Sequence, residues 1–426
     1  MASPSLTPFD AAAILIVLAA ALGYLNHRFF RLPSSVGLTI MGAVASLLVV
    51  GIDHLLPASN VSSTVVGFLA GIDFHETLMD GMLSFLLFAG ALHVDWTEMR
   101  RGRWPILVLS TIGVLLSTVI VGGGFFALTR ALSIDAPLLW CFVFGALISP
   151  TDPVAVMGVL KRAAVPPTLQ ATVAGESLFN DGVGVVVFTI ILAAALGTGP
   201  FSFGDAAGAF LFEAGGGVLL GLAVGWVGFA AMRSIDEYNV EVMISLAVVM
   251  GGYSLAHWLH VSGPVAMAVA GLLIGNAGVA LAMSDTTRDY LLKFWALIDE
   301  LLNAVLFLLI GLEVIAISPD LRLVGAGLVA IPLVLLARAA SVAAPLGVMR
   351  PFLSLGGLAV PTLVWGGLRG GISVALALSL PEGAARTAIL AVTYIVVLFS
   401  VIVQGGTIGR LIRRLSAAPV TREGLV

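Results

Sequence analysis

Apolar runs long enough to cross a bilayer recur along the whole chain, each set off by a short polar stretch. At about 20 mostly apolar residues per span, they predict helices near 11–27, 33–51, 78–95, 104–129, 137–160, 171–197, 206–231, 239–259, 262–283, 294–317, 322–349, 355–380 and 386–411. The expected fold is an all-α polytopic membrane protein with about thirteen transmembrane helices. The run 61–72 is apolar but short, and it reads as an interfacial or loop piece. Lys/Arg placement tests the count, because short cytoplasmic loops carry the excess of basic residues. With the N-terminus outside, fifteen of the twenty Lys and Arg fall on inner loops or the tail, Arg28, Arg100, Lys161 and Arg414 among them. Three fall outside, at Arg130, Arg322 and Arg386, and the remaining two, Arg338 and Arg369, lie within spans. A miscounted span would scramble that alternation, so the N-terminus is expected outside and the C-terminus in the cytoplasm.

Two of these helices break their own pattern. The fifth contains Ile148-Ser-Pro-Thr-Asp-Pro153, whose prolines remove backbone donors in mid-membrane and disfavour helix at the residues before them. The twelfth contains Trp365-Gly-Gly-Leu-Arg-Gly-Gly371, four glycines around a buried arginine. Pairing helices 1–6 with 8–13, with the seventh as a linker, makes the two interrupted segments equivalent. That is the arrangement of a transporter built on inverted repeats, with its site at the broken helices. Small-residue spacings such as Gly217/Gly221/Gly225 and Gly271/Gly275 point to close helix packing.

Composition narrows the class. Of 426 residues 59% are hydrophobic and 10% charged, against about 25% charged in a soluble domain. No Lys/Arg run suggests nucleic acid as a partner. The single cysteine, Cys141, allows neither a disulfide nor a Cys-based metal site within a monomer. Acidic Asp10 and the lack of a basic flank argue for a retained first helix over a cleaved signal peptide. Connections are short, so 1–426 is expected to be a single transmembrane unit without a soluble regulatory domain. The chain has no Gly-x-Ser-x-Gly, no His-Glu-x-x-His and no Walker loop. Neither an enzyme nor an ATP-driven pump is expected, and no cofactor.

Against this apolar background stand Asp152, Glu176, Asp181, Arg338 and Arg369. A charge at bilayer depth costs roughly 2.5 to 3.5 kcal/mol on insertion scales, which makes each a functional-site hypothesis. Ser177 and Asp181 are four apart and share a helix face, as do Glu176 and Asn180 one position round. These are hard oxygen donors, suited to an alkali cation. Unwinding at Thr151-Asp152-Pro153 would add free carbonyls. Three acids less two arginines leave one net negative charge, which one proton or one monovalent cation neutralises; we place that exchangeable charge on Asp181. Burial favours the protonated form of a carboxyl and a nearby cation favours the ionised form, so the two ions compete for the same oxygens. Competition combined with alternating access yields antiport. A channel or proton-conducting pore is the reading from another class, and it predicts current without counter-movement.

Four motifs in order, Ser-Pro-Thr-Asp-Pro (149–153), Gly-Glu-Ser-Leu-Phe-Asn-Asp-Gly (175–182), Leu-Leu-Asn-Ala-Val-Leu-Phe-Leu-Leu-Ile-Gly-Leu-Glu (301–313) and Trp-Gly-Gly-Leu-Arg-Gly-Gly (365–371), carry a family resemblance. The chain resembles the monovalent cation/proton antiporters of the NhaP and sodium/proton exchanger type over most of its length. The resemblance implies exchange of Na+, or alternatively Li+ or K+, for H+ in pH homeostasis. It implies that the interrupted helices cross, and that Asp181 and Asp152 serve Na+, with Ser177 and Thr151 adding oxygens and Asn180 bracing the crossing. Glu176 is then paired with Arg338, with Arg369 in the same supporting set. It also implies a homodimer in lipid, in a bacterial inner membrane. A dimerisation scaffold of 1–95 with 206–317 would carry an ion-transporting core of 104–197 with 322–411 that moves like an elevator. Relatives with Asn before this aspartate tend to be electroneutral, in line with the one-charge count. One departure is Ala89, after Leu86-Leu87-Phe88, where many relatives carry an acid.

Other polar residues read more plainly. Asp299 and Glu300, one turn into the tenth predicted helix, and Glu313 near its outer end mark helix ends or vestibules. His257 and His260 close a helix at the outer interface without a third metal ligand. Asn60-Val-Ser62 matches a glycosylation acceptor, a pattern common by chance.

Overall fold

The computed structural model describes residues 8–55, 65, 67, 82–163, 165–197, 203–316, 320–349 and 357–417. The segment 61–72, apart from Val65 and Gly67, and the Asn60-Val-Ser62 motif lie outside the described residues. The helices are α1 (Pro8–Leu25), α2 (Ser34–Leu55), α3 (Leu83–Leu92), α4 (Trp96–Arg101) and α5 (Arg103–Ala131). Next come α6 (Leu138–Leu147), α7 (Val154–Arg162), α8 (Pro167–Ala195), α9 (Phe203–Arg233), α10 (Tyr238–Trp258) and α11 (Gly263–Leu281). The last are α12 (Asp285–Leu312), α13 (Leu321–Met349), α14 (Ala359–Gly366), α15 (Gly371–Leu378), α16 (Ala384–Phe399) and α17 (Gly406–Ala417). Among the described residues nine helices are long and apolar enough to cross a membrane. Every apolar run read from the sequence as a span carries helix where it is described, and the fifth and twelfth are interrupted, between Leu147 and Val154 and between Gly366 and Gly371.

Local chemistry sets the ends. Pro167 opens α8, where its missing N–H costs nothing, and Gly197, at φ 68°, closes it in the left-handed conformation that glycine adopts freely. Asp95 caps α4 through the N–H groups of Thr97 and Glu98, and Ser262 caps α11 through that of Val265. Ser284 likewise accepts from Thr287 N and starts α12 at Asp285, well before the 294 that hydropathy suggests. The first turns of α12 are charged, so an apolar window misses them. The correction moves Asp299 from a helix end to mid-helix.

The helices pack in two groups. In one, α2 lies along α12, α11 against α3 and α9, and α10 against α9. In the other, α5 packs on α6 and α13, α8 on α6, and α16 on α13 and α15. Helix α8 joins the groups by touching α3, α9 and α11.

Small residues permit these contacts, as their spacing suggested. A Cβ on Gly221 would meet Ala266 O at 2.4 Å, and one on Gly275 would meet Leu92 O at 2.3 Å. At the α2–α12 seam a Cβ on Gly311 would lie 2.5 Å from Thr39 O and 2.9 Å from Ala43 N. Both are backbone atoms that cannot rotate away. Thr39 Oγ1 donates to Phe307 O at 3.1 Å and Ser46 Oγ to Leu312 O at 2.6 Å across the same seam. Gly311→Ala should therefore destabilise the protein by about 1–3 kcal/mol through overpacking. Gly23→Ala, with open space around its Cβ, should leave the melting temperature in detergent unchanged. Equal melting of the two variants would contradict this account of the seam.

Candidate functional site

The site starts from the two breaks and the backbone groups they strand in mid-membrane. Between α6 and α7, Asp152 N donates to Leu368 O at 2.8 Å, an isolated antiparallel bridge that ties the first break to the second. The interrupted helices thus cross at their gaps. Buried backbone polar groups need partners, and at the crossing they find them in side chains. Thr151 N donates to Asn180 Oδ1 at 3.3 Å, and Thr151 O accepts from Ser177 Oγ. Ser149 O and Pro150 O accept from Arg369 Nη1, the latter at 2.9 Å. In the second break Arg369 N donates to Ser400 Oγ at 2.9 Å, and Gln404 Nε2 donates to Trp365 O at 3.1 Å.

The four half-helix ends that meet here carry fractional charges from their aligned peptide dipoles. The carbonyl end of α6 lies on the Arg369 guanidinium. The carbonyl end of α14 lies on Arg338, whose Nε and Nη2 donate to Leu363 O at 3.1 and 3.0 Å. The amide end of α7 lies at Asp152, and Gly370, just before α15, passes close to it. Asp152 Oδ1 accepts from Val154 N at 2.8 Å, and a Cβ on Gly370 would sit 2.5 Å from Asp152 Oδ2. Gly367 is equally constrained, since a Cβ there would fall 2.4 Å from Arg338 Nε. The glycines of Trp365-Gly-Gly-Leu-Arg-Gly-Gly371 therefore make room for two charged side chains.

Helix α8 brings its polar face to this crossing. Glu176 and Arg338 form a bidentate ion pair at 2.7 and 2.8 Å, both side chains buried. Asn180 Nδ2 donates to Glu176 Oε1 at 3.0 Å and to Thr151 Oγ1 at 2.8 Å. Asn180 thus links the ion pair to the first break. Ser177 Oγ also lies 3.4 Å from Thr151 Oγ1. Asp181 differs from all of them. It is 7% exposed, and no hydrogen bond or ion pair from the described residues reaches its carboxylate. It lines a cavity of about 360 Å³ together with Thr151 and Asp152. Exposed His93 and Lys161 also line that cavity and mark its mouth.

Asp152, Asp181, Thr151, Ser177, Asn180, Glu176 and Arg338 are thus brought together. Arg369 stands apart from the grouping expected of it. Among the described residues it makes no ion pair, its partners are carbonyls, and its Nη2 is unpartnered. Counting charges along a sequence cannot reveal that a helix end, not an acid, is the counter-charge. The sequence reading set Asp299 at a helix end or vestibule, and it did not single out Asn303, His93 or Lys161, which line the cavity with it. The available signal was spacing: Ala296, Asp299, Asn303 and Leu306 recur on one helical face. Glu313 is buried and accepts from Tyr394 Oη at 3.1 Å. It sits at the helix end expected of it, directly after Leu312, but not at an open vestibule. Among the described residues no group of three His, Cys, Asp or Glu has metal-binding geometry.

Comparison with known proteins places this geometry. The family profile "Sodium/hydrogen exchanger, transmembrane" matches residues 15–414. The chain is 48% identical over 415 residues to the Na(+)/H(+) antiporter NhaP of Pseudomonas aeruginosa, covering 96% of this chain and 97% of that one. It is 34% identical to the Na(+)/H(+) antiporter NhaH of Halobacillus dabanensis over 412 residues, 94% of this chain and 97% of that one. In fold it is similar to the sodium proton antiporter MjNhaP1 from Methanocaldococcus jannaschii, solved at pH 8. The TM-score is 0.73 at 21% identity, with 94% of this chain and 100% of that chain covered.

Proposed function

The chain belongs to the sodium/hydrogen exchanger family, and from that premise we propose that it exchanges Na+ for H+ across the membrane, one for one, at Asp181. The observation that carries the reading is the Asp181 carboxylate, buried in a cavity and without a partner among the described residues. The other buried charges at the crossing have partners: Glu176 has Arg338, Arg369 has carbonyls, and Asp152 has the first amide of α7. Asp181 is left with one negative charge that a proton or a cation neutralises.

Coupling follows from electrostatics. Carrying either ion, the crossing holds no excess charge at Asp181. Empty, it carries an unpaired anion, whose burial in low dielectric is costly. Movement is thereby confined to the loaded forms, and each trip one way with a cation requires a return with a proton. Thr151 and Ser177 supply further oxygens, and Asn180 fixes the distance between α8 and the first break. Glu176–Arg338 is support, since both partners are saturated by each other, by Asn180 and by Leu363 O.

The moving part is the core of 104–197 with 322–411, and the fixed part is the scaffold of 1–95 with 206–317, through which two copies pair as a homodimer. The two packing groups support this division. The N-terminus lies outside and the C-terminus in the cytoplasm of a bacterial inner membrane. The mouth at Lys161 then opens inward, while on the outer side Glu313 of the scaffold is bonded to Tyr394 of the core.

The test is a proteoliposome assay with an internal pH dye, driven by Na+, Li+ and K+ gradients in turn. One-for-one exchange gives Na+-driven alkalinisation or acidification that follows the gradient, at a rate unchanged when K+ and valinomycin clamp the voltage. A rate that responds to the clamp rules out the single-charge count. Na+ flux without proton movement rules out antiport and favours a pore.

A further inference from the structure

The cavity below Asp181 has two walls of unequal chemistry. From α3 only Leu, Ala and Gly between Leu83 and Gly90 line it, so that helix offers a cation nothing. The wall formed by α12 carries Asp299 and Asn303 on the face shared with Ala296 and Leu306. Asn303 Nδ2 donates both to Asp299 O at 2.9 Å and to Asp299 Oδ1 at 3.0 Å. Because both neighbours are acceptors, the amide can be placed only one way round. Its NH2 group is used up on Asp299, and Asn303 Oδ1 is left over with Asp299 Oδ2. Among the described residues no donor is bonded to either oxygen. The pair therefore presents only hard oxygen acceptors and one negative charge, the set that suits an alkali cation. The basic groups whose charge reaches Asp299 are His93 and Lys161, and the acidic neighbour on its own helix is Glu300. Asp152, deeper in the same cavity, is close enough to feel its charge.

We propose that Asp299, oriented by Asn303, forms an entry site for the incoming alkali cation on the mouth side of the cavity, before the ion reaches Asp181. This rests on the assignment of Asp181 as the exchange site. A cation entering the cavity loses water against mostly apolar walls, and one carboxylate part-way in offsets that loss. Lys161 opposes it at the mouth. The two sit on parts that move past each other, Asp299 on the fixed α12 and Lys161 on the mobile α7. The entry site therefore exists only while the cavity is open to this side, and its removal must act on one face of the membrane and not on the other.

Side-specific assays read this directly. Everted vesicles present the Lys161 face to added Na+, and right-side-out vesicles present the opposite face. Asp299→Asn should raise the KM for Na+ about tenfold in everted vesicles, the effect of one unit charge a few ångströms away at an effective dielectric between those of water and a protein surface. Vmax should hold, the KM in right-side-out vesicles should hold, and Asp299→Glu should restore the everted value. Lys161→Gln, an exposed change that folding tolerates, should lower the KM in everted vesicles only. An unchanged everted KM for both variants, or equal shifts on the two faces, overturns the entry site. Asp181→Asn in the same vesicles separates the two ideas: if it still exchanges, the exchange-site assignment fails, and if it is dead while Asp299→Asn matches wild type, only the entry site fails.

Discussion

Asp181→Asn is expected to reduce exchange to background in proteoliposomes while leaving a folded, monodisperse protein. The amide matches the carboxylate in size, and no ion pair or hydrogen bond from the described residues is lost by the change. What is lost is the charge. At about 4 Å and an effective dielectric near 20, a unit charge contributes roughly 4 kcal/mol to holding a cation, close to three orders of magnitude in affinity. The amide also cannot release a proton, so the return trip has no cargo. Structure and function should therefore separate cleanly: melting temperature and gel-filtration profile like wild type, with Na+-driven pH change absent for Na+, Li+ and K+ alike. Sustained exchange by this variant would sink the assignment of Asp181.

The opposite separation is expected at the ion pair. Arg338→Met leaves Glu176 as a buried, uncompensated anion and strips Leu363 O of its two donors. Breaking a buried pair from one side costs about 3–5 kcal/mol, so most of the protein should fail to fold, read as aggregation on extraction and a lowered melting temperature. Glu176→Gln should be milder, because the guanidinium keeps its bonds to Leu363 O and the amide keeps an oxygen for Asn180. Arg338→Lys should rescue little: an ammonium cannot reach two carboxylate oxygens and a carbonyl in one plane. The double change Glu176→Gln with Arg338→Met should be less damaging than the sum of the singles, since the stranded charge is gone. Wild-type melting of Arg338→Met would refute a supporting role.

Much of this site was legible before any coordinates. Helical spacing puts Ser177 and Asp181 on one face, and hydropathy puts that face at membrane depth. The prolines at 150 and 153 announce a break because they remove donors, and the glycines at 366–367 and 370–371 announce close approach. Position along a helix was harder. Asp299 was misplaced because the polar start of α12 is invisible to an apolar window, and with it went the second wall of the cavity. Arg369 could be recognised as buried but not as the cap of α6, because the partner is a pair of carbonyls whose identity no side-chain pattern records. Glu313 was placed correctly at a helix end, but its burial was hidden because its hydrogen-bond donor, Tyr394, lies in another helix 81 residues away.

The bond from Asp152 N to Leu368 O stitches the two gaps into one piece of chain. On the proposed movement of the core, a cradle held together in this way would travel whole, without a hinge inside it, and grip its passenger alike at the start and the end of the journey. Any preference between the two shores must then come from the quays, the stationary walls it docks against, while the direction of traffic is left to the two gradients.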